Sequence, residues 1–351
     1  MRTTLPSALL AAALSLCLSG CLAVHSALQA GAGQFTLITS ARPLDEAKVS
    51  PSTPPAVRAL LEEVDPILRY ADAQGLKRTQ NYQRYVALHR SAPVWVVSAC
   101  PELSLTPKTW SFPIAGRFPY LAWFSPRAAR DFADSLALEG LDVDVRPARA
   151  YSTLGWFDDP LLSSMLTSGP SASGELADDL LHESTHATLH ISGQTPFNEG
   201  LATFAGTRLA RGYLIATYGT EGRATKAFEE DEQRRKETSQ LLSDAAKALD
   251  TLYRSPASDD DKRKQKKSIL TQLQNQLGWR RAITNATLSQ HRTYQTGEAL
   301  FDKLLKACAS DFKCFFARLG TLSEGSFQKP QQEDLEPVLA PLMAVQSAMR
   351  D

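Results

Sequence analysis

Apolar residues recur at helical spacing from Ala56 to Tyr70 (Val57, Leu60, Leu61, Val64, Ile67 and Leu68), directly after the breaker Ser50-Pro51-Ser52-Thr53-Pro54-Pro55. The spacing predicts an amphipathic helix that Pro66 bends or ends. Val94 to Ser98 is a short β-rich apolar run and predicts a buried strand; Tyr120 to Phe124 predicts a second. Ser125-Pro126 then opens a helix, with Ser125 as N-cap and Pro126 in the first position, running to about Leu138. Val143 and Val145 alternate with Asp142 and Asp144, the pattern of a half-exposed strand. A strand-helix-strand unit over 93–149 therefore forms a small sheet. Residues 22–49, before the breaker, read as a polar-apolar segment.

Beyond the small-residue loop Gly169 to Ser173 the pattern turns almost wholly helical from Gly174. Glu229 to Lys247 is highly charged and helical, Ser255 to Asp261 interrupts it, and a second helix follows from about Lys262 to Leu277. This pair reads as a protruding hairpin whose mixed charges form a solvated face. The tail from Lys329 to Pro341 carries three prolines and reads as irregular. The fold class is thus α+β and mostly α-helical, with a small sheet in the N-terminal half and a charged helical hairpin (222–277) in the C-terminal half. The expected division is an N-terminal α/β region (21–168) and a helical region (169–351).

The chain of 351 residues balances 38 Lys+Arg against 38 Asp+Glu. Zero net charge argues against a dedicated nucleic-acid binder, and the length suffices for a large core without disulfide staples. The N-terminus is an address: Arg2, an apolar run from Ala8 to Leu18, then Leu18-Ser19-Gly20-Cys21. A run of about eleven residues is too short to span a bilayer but suits a secretory signal over 1–20. Its end resembles the lipobox of bacterial lipoproteins. That resemblance implies cleavage before Cys21 and lipidation of Cys21. With Leu22 next, it also implies sorting to the outer membrane, facing the periplasm. Cys100, Cys308 and Cys314 remain in an oxidising compartment, where Cys308 and Cys314 either bridge locally or stay buried thiols. The oligomeric state is not readable.

The chemistry concentrates in His182-Glu183-Ser184-Thr185-His186. On a helix, residues i and i+4 share a face, so both imidazoles can reach one ion, and Zn2+ accepts neutral imidazole nitrogen. Glu183 lies beside that face, where a general base is needed. Two residues compete for the third ligand position. His190 continues the same helix face but lies about 12 Å along the axis from His182, too far for three ligands to wrap one ion. Glu199 lies beyond Gly193 and Pro196, which mark a turn, so a second helix can present it to the ion. Glu199 is preferred. Asp178 and Asp179 can either orient an imidazole or serve as helix N-terminal charges, and the latter reading is taken. Trp110, Trp123 and Trp156 read as core or cleft wall.

These pieces, with Phe197-Asn198-Glu199-Gly200-Leu201-Ala202, are similar to zinc peptidases whose third ligand is the glutamate of an Asn-Glu dipeptide. More closely, the chain resembles the predicted aminopeptidase family of proteobacterial lipoproteins. The match rests on the lipobox cysteine, Gly33-Gln34, Trp110-Ser111-Phe112-Pro113-Ile114, Ala150-Tyr151-Ser152-Thr153-Leu154-Gly155-Trp156-Phe157 with Asp159-Pro160, the His182 helix, Phe197-Asn198-Glu199, and Asn285-Ala286. Gly200-Leu201 departs from the family pattern of a small residue and Phe. The resemblance implies a zinc-peptidase-like helix pair hydrolysing a peptide or protein substrate, with His182, His186 and Glu199 on the metal and Glu183 as base. For the oxyanion donor, Tyr151 stands in a family motif, with Tyr294, His291 and Tyr218 as competitors. The other reading is a scaffold lipoprotein with a structural zinc, in which Glu183 has no use.

Overall fold

The computed structural model describes residues 28–112, 116–151 and 158–343. The signal and Cys21, and Trp156 with most of its motif, lie outside the described residues. In chain order come α1 (28–40), β1 (Arg42–Pro43), α2 (Leu44–Val49), α3 (Pro55–Ala73), β2 (Arg84–Val86), β3 (Val94–Pro101), β4 (Trp110–Phe112), β5 (Gly116–Phe118), β6 (Leu121–Trp123), α4 (Pro126–Leu138), β7 (Leu141–Ala148) and β8 (Leu161–Leu162). Then follow α5 (Ala172–Thr188), α6 (Thr195–Tyr218), α7 (Arg223–Arg254), α8 (Asp259–Leu277), α9 (Asn285–Gln295), α10 (Glu298–Ala307), α11 (Phe312–Leu319) and α12 (Glu336–Met343). The fold is α+β and mostly helical, as the pattern predicts.

β3 is the centre of a three-stranded sheet, antiparallel to β6 on one side and β7 on the other. α4 crosses between those two edges, opened as expected by Pro126 and by the Ser125 side chain accepting from the Ala128 N–H. It packs Ala129, Ala133 and Leu136 onto Val97, Trp110, Leu121 and Trp123, which places both tryptophans in the core.

Of the two outcomes expected at Pro66, ending is excluded, since α3 runs on to Ala73. An internal proline costs a helix about 3 kcal/mol. Leu61, Val64 and Ile67 are fully buried, and at about 1.5–3 kcal/mol each they outweigh that cost. β7 does not turn its aspartates to water. Asp144 is buried, accepting from Arg281 (2.6 Å) and Thr287 (2.9 Å), while Asp142 accepts from Lys266 (2.7 Å) and the Asn285 N–H (2.9 Å). The carboxylates thus anchor α8 and α9, and the hairpin is docked at this end rather than merely solvated. Leu242, Ala246, Leu249 and Leu273 complete the contact over Leu105 and Leu288. The tail is not irregular throughout: Glu336–Met343 is helical despite Pro341, because Val338 and Leu339 are buried against the main core.

That core draws on residues from Leu37 to Leu339, with α5 and α6 at its middle. α5 buries Leu176, Ala177, Leu180 and Leu181 at helical spacing. α6 passes so close to α5 that a Cβ on Gly206 would lie 3.1 Å from both the Asp178 carbonyl oxygen and the His182 nitrogen. Cys308 and Cys314 form a disulfide between the end of α10 and the start of α11, and Cys100 is a buried free thiol pushed up to about 12, burial being the main cause.

Candidate metal centre

α5 presents His182 and His186 one turn apart, and α6 returns along it to bring Glu199 against both. The local sequence explains the return. Asn198, buried at the first turn of α6, accepts from the Ile191 N–H through Oδ1 (2.9 Å) and donates to the Ile191 carbonyl through Nδ2 (2.8 Å). This pair of hydrogen bonds clasps the α5–α6 turn and fixes the next residue, Glu199. Gln194 ties the same turn to the tail, donating to the Lys329 carbonyl and accepting from the Gln332 N–H.

The candidate donors form a compact triangle. His182 Nε2 and His186 Nε2 are 3.2 Å apart, and they lie 3.6 and 3.7 Å from Glu199 Oε2. Three ligands at ~2.0–2.1 Å in tetrahedral geometry stand about 3.3–3.4 Å from one another. The triangle therefore fits a small cation without rearrangement. The charge balance calls for one as well. Burial lowers the pKa of His182, but its hydrogen bond to Glu199 and the charges of Glu183, Glu199 and Asp178 outweigh this and push it up to about 9. Glu199 is held well below the usual carboxylate range: burial raises it, but hydrogen bonds from both histidines prevail. The buried carboxylates thus draw positive charge onto the imidazoles, compensation that a bound cation would equally supply. Glu183 stands beside the triangle and is not part of it. Its Oε2 is buried without a hydrogen-bond partner, the condition of a group waiting for a ligand.

His190 does not share the helix face of the other histidines. α5 ends at Thr188, Leu189 is extended, and His190 is exposed with its ring 6.5 Å from that of His186. Replacing His190 by Ala should leave metal content unchanged, as read by elemental analysis after dialysis. Asp178 and Asp179 are not N-terminal charges either, because α5 begins at Ala172 and the dipole acts only over the first turn. Asp178 accepts from Thr207 (3.2 Å) and faces Arg235 (3.8 Å). Asp179 pairs with Arg149 (3.1 Å), and burial pushes it up to about 7 against that pairing.

Tyr151 packs edge-on to Phe124, with ring centroids 5.0 Å apart, and among the described residues it makes no hydrogen bond to the triangle. Tyr218 lies nineteen residues past Glu199 on the same helix, about 28 Å away. His291 is tied to α7 through Ser239. Tyr294, on α9, lies under the Arg146 guanidinium; burial first, then the charge of Glu199, raises its pKa, and Arg146 lowers it in part. Sequence reasoning missed Tyr120, whose hydroxyl donates to Glu199 Oε1 (3.4 Å), and Arg146, stacked on Tyr294 at 5.1 Å. Both lie on strand or turn segments far from the motif, and only the coming together of the small sheet and α9 reveals them.

Gly200 is forced by packing: a Cβ there would lie 2.0 Å from the Thr296 carbonyl oxygen. Gly200→Ala should destabilise the fold by about 2–3 kcal/mol and displace Glu199 with it. A thermal melt checks the first effect and metal content the second; a wild-type melt would contradict the contact.

A helix pair carrying two histidines, a neighbouring glutamate and a third carboxylate ligand defines a candidate metal centre of the His-Glu-x-x-His kind. The family model described as "Putative aminopeptidase" matches residues 27–334, and the chain belongs to that family. No curated protein and no solved structure matches it.

Proposed function

We propose that the protein is a zinc-dependent peptidase in which His182, His186 and Glu199 hold the ion and Glu183 is the general base. The observation that carries this reading is the partnerless buried oxygen of Glu183 beside a triangle of three donors. A structural zinc site closes with four protein ligands, whereas a catalytic one takes three and keeps a position open. When bound, zinc supplies a Lewis acid for the scissile carbonyl and lowers the pKa of water toward ~7. Glu183 takes the proton of the attacking water and delivers it to the leaving amine. Tyr120 holds Glu199 through Oε1 while the imidazoles face Oε2, and Tyr294 is kept a protonated phenol by its burial. Lipidation of Cys21 and an outer-membrane location facing the periplasm are part of the proposal and rest on the lipobox resemblance alone.

The test is a timed digestion of a mixed peptide library by the lipid-free chain, read by mass spectrometry, with Glu183→Gln as the blank. Stepwise loss of N-terminal residues, absent in the blank, establishes an aminopeptidase. Internal cuts establish a peptidase of another specificity. No cleavage by the zinc-loaded protein moves the weight to a scaffold with a structural ion.

A further inference from the structure

The wall beside the triangle carries a cation that, among the described residues, has no salt-bridge partner. Arg146 extends from β7, and its Nη2 donates to Gln290 Oε1 (2.8 Å). Its guanidinium stacks on Tyr294 at 5.1 Å. Among the described residues no carboxylate forms an ion pair with it. The other charged groups around α5 are committed: Arg149 to Glu175 and Asp179, Arg235 to Asp178, Arg281 to Asp144. A guanidinium carries five N–H donors, and Gln290 and Tyr294 occupy only part of that fork. The nearby Asp144 is held by Arg281 and Thr287, so it does not serve as the partner of this guanidinium. Arg146 lies over Tyr294, and Thr296, two residues on, packs against Gly200 beside Glu199, which puts the cation on the wall next to the donor triangle; Tyr120 joins that wall by donating to Glu199. Asp178 and Asp179, the nearby carboxylates outside the catalytic set, are both engaged. A planar fork left without an anion is the arrangement that recognises a carboxylate.

We propose that Arg146 binds a substrate carboxylate, so that the preferred substrates are short peptides that end, or carry an acidic side chain, just beyond the scissile bond. This rests on the peptidase reading and narrows it. The carboxylate is either the C-terminal α-carboxylate or an Asp or Glu side chain, and the experiment separates the two.

Ala-Ala-Ala as the free acid, Ala-Ala-Ala amide and Ala-Asp-Ala amide are compared on the zinc-loaded chain. A carboxylate-bearing peptide should be cleaved with a kcat/KM about ten to a hundredfold above the plain amide. Preference for the free acid assigns end recognition, and preference for Ala-Asp-Ala amide assigns the side chain. Arg146→Met should abolish the preference mainly through KM, and Arg146→Lys should restore part of it. Equal cleavage of acid and amide by the wild type, or a preference that survives Arg146→Met, overturns the proposal and leaves the peptidase reading intact. Binding is read separately by calorimetric titration of Glu183→Gln with acetyl-Ala-Ala and with its amide. Selective binding of the acid, lost on adding Arg146→Met, supports the carboxylate site even if no peptide is turned over. Equal binding of the two sinks it. Should Arg146→Met fail to fold, the acid-against-amide comparison on the wild-type chain decides.

Discussion

Glu183→Gln should cut peptide hydrolysis by about 10²–10⁴-fold while metal content stays at the wild-type level. The amide matches the carboxylate in shape but cannot accept the proton of the attacking water. Glu183 is not one of the three clustered donors, so the ion keeps its ligands. The change also removes one of the negative charges that draw a proton onto His182, which frees that imidazole for the metal. The loss should fall on kcat, with KM nearly unchanged, because the interaction matters only as the proton moves. Elemental analysis and steady-state kinetics on the same preparation check both halves. Activity within tenfold of wild type would remove Glu183 from the role of base.

Glu199→Ala should act in the opposite way, abolishing activity by emptying the site. Partners one layer outside a metal typically contribute 10–100-fold in affinity, and loss of a direct ligand should exceed about a hundredfold. A second effect follows in the metal-free protein. Glu199 is the anion against which both imidazoles, that of His186 buried and that of His182 largely so, are held, and Tyr120 donates to it. Removing one partner of such a buried pair costs about 3–5 kcal/mol. The melting temperature should therefore fall even in the presence of a chelator, which separates the structural share from the metal share. Metal retained by Glu199→Ala but lost by His190→Ala would reverse the ligand assignment.

The legible part of the site is the part written in local geometry. Two histidines one turn apart and a turn at Gly193 and Pro196 announce the α5–α6 pair, because helix periodicity and turn chemistry act over a few residues. Pro66 shows the limit of local rules: its penalty is real, yet three fully buried neighbours on α3 outweigh it. Asp142 and Asp144 show another limit. Alternation marks them as outward-facing on their strand, but it cannot tell whether outward means water or another helix. Tyr120, Arg146 and Tyr294 meet at the site from a turn, a strand and a helix spread over more than 170 residues, and no spacing encodes that meeting. The role of Gly200 was hidden likewise, since its neighbour Thr296 is almost a hundred residues away.

The two close approaches of α6 have a consequence for how far the two donor-bearing helices can part. On one side Gly206 rides against the α5 backbone at His182, and on the other Gly200 meets the Thr296 carbonyl. α6 is a wedge held between main chains, which yield far less than side chains do. Moving it off α5 drives it into the 296 carbonyl, and moving it the other way drives it into α5. The gauge between the helices is thus set by two missing methyl groups, so the spacing of the donors is held by backbone rather than by the donors themselves.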